Sequence, residues 1–163
     1  MFDFGPGTPK DRKLIKDSLF ELAKGAQFST PINGYDTWAM TSRRLKLWVN
    51  VDTSMQPAMF MVQHREGRTS SGSGNLIRRY LDLGLWCYAP TGNESIIGDD
   101  LLDIMESALE GVLLPDDPNR NELTLNGLVH WVRIIREDNM LIRDPGDIDG
   151  QALLVLPIRI LLP

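Results

Sequence analysis

Between residues 14 and 23 the apolar positions Leu14, Ile15, Leu19, Leu22 and Ala23 recur at three- and four-residue intervals, with Lys13, Lys16, Asp17 and Glu21 on the other side. Thr8-Pro9-Lys10-Asp11 supplies a capping hydroxyl, a proline suited to the first helical turn and an acid near the helix N-terminus, and Gly25 supplies a stop. The spacing predicts an amphipathic helix over this stretch. A second helix is predicted from Ser95 or Asp99 to Leu113. Its apolar side is Ile97, Leu101, Leu102, Ile104, Met105, Ala108, Leu109 and Val112, and Pro115-Asp116-Asp117-Pro118 breaks it.

Elsewhere the period is two. Leu45, Leu47, Val49 and Val51 alternate with Arg44, Lys46, Trp48 and Asn50, which predicts a half-buried first strand. A second strand is expected from about Ala58 to His64 and a third from Arg79 to Ala89. The third sets Leu81, Leu83, Leu85 and Cys87 against Tyr80, Trp86 and Tyr88. A fourth is expected from about Gly127 to Arg136 and a last from Ala152 to Leu162, after a loop holding Asp144-Pro145-Gly146-Asp147. Residues 1–7 read as a Gly/Pro-rich arm bearing Phe2 and Phe4, and Arg65–Asn75 as a polar, flexible loop. The expected fold class is α+β: two main helices with a mixed or antiparallel sheet of about five strands, in the order α-β-β-β-α-β-β. No internal repeat or linker interrupts the chain, so one domain is expected over 1–163.

The late strands are apolar on both faces. The last sets Ala152, Leu154, Leu156, Ile158, Ile160 and Leu162 against Leu153, Val155 and Leu161. The fourth sets Val132 and Ile134 against Val129, Trp131 and Ile135. An antiparallel sheet with one wet face alternates more cleanly than this. Either the two helices divide between the faces or a neighbouring subunit covers one of them. The second arrangement is favoured.

Composition sharpens the picture only in places. A length of 163 residues with 42% hydrophobic and 24% charged residues is that of one ordinary folded domain. The net charge of −5 gives no global basic field toward nucleic-acid phosphates or anionic membranes. One cysteine, Cys87, forms no intrachain disulfide, and no segment reaches the ~20 apolar residues of a membrane span. Residues 1–7 lack the basic start and apolar core of a signal peptide, so the chain is expected to stay where it is made.

Catalytic and metal-binding patterns find little support. His64 and His130 have no ligand spacing, and Asp147-Ile148-Asp149-Gly150 lacks the earlier acid and the later Glu of a calcium loop. Gly72-Ser73-Gly74 is too short for a dinucleotide fingerprint, and no Gly-x-Ser-x-Gly elbow is present. Asp99-Asp100 and Asp116-Asp117 fall at a helix start and in a turn, where acids are structurally expected. No enzyme activity, cofactor or metal is expected. Arg65, Arg68, Arg78 and Arg79 flank the Gly/Ser loop and Arg43-Arg44-x-Lys46 opens the first strand. The plain reading is a solvated rim; the sharper one is an arm that orders against an acidic neighbour, and nucleic-acid binding, disfavoured by the overall negative charge, is a third. With Trp131 and Val155, Arg65, Arg68, Arg78 and Arg79 make the expected subunit interface.

In order and texture, these blocks resemble the tail terminator (tail completion) proteins of long-tailed bacteriophages. The blocks are the opening helix, TSRRLKLWVNVDTSMQPAMFMVQHRE (41–66), YLDLGLWCYAP (80–90), the second helix, NGLVHWVRIIRE (126–137) and ALLVLPIRILLP (152–163). The arm before Thr8 departs from that pattern. The resemblance implies a virion structural protein, assembled in the host cytoplasm, forming a ring that is typically hexameric. Such a ring caps the head-proximal end of the tail tube and meets the tail tube protein and the head-completion or connector protein. DNA would pass through its channel without specific binding. Two other readings stay open: another small virion component such as a head-completion or baseplate protein, and a non-viral ligand-binding or enzymatic α+β domain with a pocket lined by Trp86, Tyr88 and Trp131.

Overall fold

The computed structural model of the chain describes residues 9–70, 77–136 and 140–163. Helix α1 spans Pro9–Lys24 and α2 spans Gly98–Val112. The strands are β1 (Met40–Ser42), β2 (Ala58–Ser70), β3 (Ile77–Pro90), β4 (Trp131–Ile134), β5 (Ile142–Asp144) and β6 (Gln151–Leu161). They form one six-stranded sheet in the order β1-β2-β3-β6-β4, with β5 also paired to β6. Among the described residues only β1–β2 is parallel, so the chain has the expected α+β fold with a mixed sheet.

The β2–β3 hairpin and β6 form the frame, because their alternate residues make a nearly continuous apolar face. Met59 and Met61, then Leu81, Leu83, Leu85 and Cys87, then Leu154, Leu156, Ile158 and Ile160 are buried against Ile15, Leu19, Leu102, Met105 and Leu109 of the two helices. Both helices therefore share one face of the sheet and do not divide between the two. A smaller cluster, Val51, Ala58, Phe60 and Tyr88, lies on the opposite face with Leu45, Trp86 and Leu153 packed against it.

β6 is bordered by β3 on one side and by two short strands laid in line on the other. β4 pairs with Ile158–Leu161 and β5 with Leu153–Val155. Pro157 falls between them, and its carbonyl accepts from the Ile135 amide. A proline offers no backbone donor, so it is tolerated where the bordering row changes strand.

Three expectations need correction. Residues 44–51 are not a strand: 3₁₀ turns occupy Trp48–Asn50 and Thr53–Met55, and β1 lies earlier. This segment folds over the sheet face, where its carbonyls are satisfied by side chains: Tyr88 Oη donates to Lys46 O (2.8 Å) and Gln56 Nε2 to Val51 O (3.2 Å). Second, the expected loop from Arg65 belongs to β2 as far as Ser70; the rest of it, Ser71–Asn75, lies outside the described residues. A register shift between Gln63 and Arg65 sets Arg65 opposite Asp82 and Gly67 opposite Tyr80. Cross-strand pairing thus orders a polar stretch that has little intrinsic preference for a strand. Third, the fourth strand is only Trp131–Ile134. Val129 sits in the turn before it and packs into the helix-side core, away from the Trp131 face.

Candidate assembly surface

The sheet face opposite the helices is only partly covered by residues 43–57. Beyond that cover, the register lines up Arg65 of β2, Asp82 of β3, Arg159 of β6 and Arg133 of β4 in one row across the sheet. The next row holds Gly67, Tyr80, Leu161 and Trp131. Each of two arginines lies over an aromatic ring of the neighbouring row: Arg159 is 4.2 Å from the Tyr80 centroid and Arg133 is 4.0 Å from that of Trp131. Such stacking fixes a guanidinium plane while leaving its edge available for hydrogen bonds.

Asp82 organises the row. Its carboxylate side chain is 3% exposed and accepts from Arg65 Nε at 2.7 Å and from Arg159 Nε and Nη2 at 2.8 and 3.1 Å. Burial alone would raise its pKa; the hydrogen bonds from Arg159 and Arg65 outweigh that and hold it below the ordinary carboxylate value. Arg133 is bonded to Glu122. Sequence reasoning missed Asp82, whose only signal was an acid within the aromatic-bearing face of β3.

Of the expected interface residues, Arg65 is therefore tied to a buried carboxylate. Arg78 is bonded to His130 Nε2, and the imidazole pKa is lowered by burial and by the charges of Arg78 and Arg120. Arg68 and Arg79 are exposed and directly opposite one another on the helix-side face of the hairpin, beside Glu66, which Arg12 engages at 2.5 and 2.6 Å. Trp131 is half-buried at the open edge. Val155 lies on the same face but is 3% exposed, so its side chain is already covered within the subunit. Sheet pairing brings Arg65 and Trp131 onto one face and separates them from Arg68 and Arg79.

Tyr88 is buried, with its hydroxyl committed to Lys46 O, while Trp86 faces Val155 and Trp131 faces Leu161 on different rows. These three aromatics do not line one pocket. Cys87 is fully buried, and burial raises its pKa. Asp99, Asp100 and Asp103 bring exposed carboxylates within 4.8 Å of one another. Arg143 Nη2 already bonds Asp99 (3.1 Å) and Asp103 (2.6 Å), so a fixed cation stands where a metal would otherwise balance the charge.

Two apolar features remain. The segment over the sheet turns Leu47, Trp48 and Val49 outward, exposed at 61, 44 and 62%, just after Arg43, Arg44 and Lys46. On the helix side, an open cleft of about 510 Å³ is lined by Leu22, Val112, Leu114, Leu123, Leu125 and Leu128. Glu21 and Asp116 contribute its acidic groups. Both features were hidden in the sequence. Leu47 and Val49 read as the inward side of a strand, and the cleft joins α1, the end of α2 and the 114–128 loop.

No protein-family model and no curated protein matches this chain.

Proposed function

We propose that this chain is a structural subunit of a bacteriophage tail: a tail terminator that closes into a hexameric ring on the head-proximal end of the tail tube. The ring ends tube growth and offers its other side to the head-completion or connector protein. It works without enzymatic chemistry, in the virion tail after assembly in the host cytoplasm, and DNA passes through it unread.

The observation that carries this reading is the uneven covering of the sheet. Both helices lie on one face, and the other face presents half-buried Trp131 and Leu161 beside Arg133 and exposed Ile142. Apolar area left wet costs roughly 25 cal/mol per Å², and a neighbour removes that cost. A contact between two different surfaces of identical subunits closes into a ring when its rotation permits. The block order described above supplies the choice of a tail terminator among ring-forming proteins.

Electron microscopy of the purified chain mixed with tail tubes tests the proposal. The expected images show a ring on one tube end. A strict monomer by light scattering at high concentration, both alone and with tubes, overturns it.

A further inference from the structure

We infer that subunits join by inserting the Leu47-Trp48-Val49 tab of one copy into the leucine-lined cleft between α1, the end of α2 and the 114–128 loop of the next. This inference rests on the ring reading and names the surfaces that make the ring.

The tab is apolar on its outside, and its three side chains are left largely open by the described residues of its own subunit. Leu45 and Val51, at either end, face inward onto Phe60 and Tyr88, which anchors the segment and forces the residues between them outward. Asp52 steadies the return of the chain by accepting from the Ser54 amide and hydroxyl, both at 2.9 Å. The three exposed side chains are thus held on a tethered turn, which lowers the ordering cost of docking.

The cleft is suited to that occupant in three ways. Its walls are aliphatic, and Leu114 at its rim is 60% exposed. Its volume of about 510 Å³ admits an indole together with part of a neighbouring aliphatic side chain. Its charge is opposite to that of the tab: Glu21, reached by Lys24 at 3.4 Å, and Asp116, whose carboxylate accepts from Thr124 and Asn126, line it, and Arg44 and Lys46 are the exposed bases beside Trp48. Apolar contact in the centre with opposite charges at the rim is the usual anatomy of a specific interface.

The contact must be between copies. Tab and cleft lie on opposite faces of the same sheet, the tab over the Phe60/Tyr88 cluster and the cleft over the helix-side core that includes Leu123 and Leu125. Each subunit therefore offers one tab and one cleft in different directions. That is the head-to-tail arrangement that generates rings or filaments and not two-fold dimers.

The test uses the full chain. Trp48→Asp is expected to raise the concentration at which the chain assembles by more than tenfold, with an unchanged circular-dichroism melt; Val49→Asp serves as the second tab variant. Trp48→Cys and Leu114→Cys, mixed in equal amounts under oxidising conditions, are expected to give a disulfide-linked pair that neither gives alone, since Cys87 is buried. If the wild type assembles and both Asp variants assemble equally well, the inference falls while the ring reading stands. Cross-linking of Trp48→Cys to itself alone, indicating tabs face to face, also overturns it. A wild type that stays monomeric with and without tail tubes removes the ring reading and this inference together.

Discussion

Replacing Asp82 by asparagine tests how the open sheet face is held together. The substitution keeps the shape and removes the charge that two arginines share. An amide also has to turn a donor toward one guanidinium. A hydrogen bond to a charged group is worth about 1.5–3 kcal/mol net. Arg65 is 54% exposed and can return to water, while Arg159, 20% exposed, gives up its two bonds to the Asp82 carboxylate. Arg159 keeps its place over Tyr80 at 4.2 Å. The expected loss is about 2 kcal/mol, and for a chain of this size that lowers Tm by about 4–8 °C. Because the Asp82 pKa is depressed in the folded chain, its contribution is complete above the ordinary carboxylate value of about 3.9. That contribution is lost as pH falls through the lower folded value. Melts of both proteins at pH 7 and near pH 3 should show a gap that narrows in acid. Equal Tm values at pH 7, or a gap that stays constant or widens on acidification, would refute the account of Asp82 as the charged centre of this face.

Three further outcomes follow from packing. Gly98→Ala should destabilise the fold by about 2 kcal/mol or more, measured by denaturant unfolding, because the added Cβ would stand 1.8 Å from the backbone oxygen of Pro145. Gly84→Ala should cost less, since its nearest obstacle is the far end of the His64 side chain, which can turn away. Cys87 should resist thiol reagents at pH 8 in the native protein and react fully in guanidinium chloride, since the thiol is buried and its pKa raised. Rapid labelling without denaturant would contradict that burial.

Local pattern made the two helices and the long strands legible. The caps and stops around α1 and the 3.6-residue stripe of α2 mark elements that the structure places at Pro9–Lys24 and Gly98–Val112. The alternation in β3 and β6 marks strands whose inner faces form the main core. Those signals are carried by neighbours in sequence, because helix and strand geometry determine which nearby residues share a face. Partnership is different. Leu45, Leu47, Val49 and Val51 have the alternation of a strand, but the edge of β2 beside them is taken by Met40–Ser42, and the segment crosses the sheet face instead. Residues 65–70 have the composition of a loop, yet β3 lies opposite them and supplies the hydrogen bonds of a ladder. The row from Arg65 through Asp82 and Arg159 to Arg133 draws on four strands, so it exists only once register is set. The sequence by itself determined the fold class and the main elements, through propensity and period. Tertiary structure alone decided that both helices share one face, that Asp82 is buried between arginines, and that Leu47-Trp48-Val49 point outward, because each depends on which distant backbone edge or surface is free to be met.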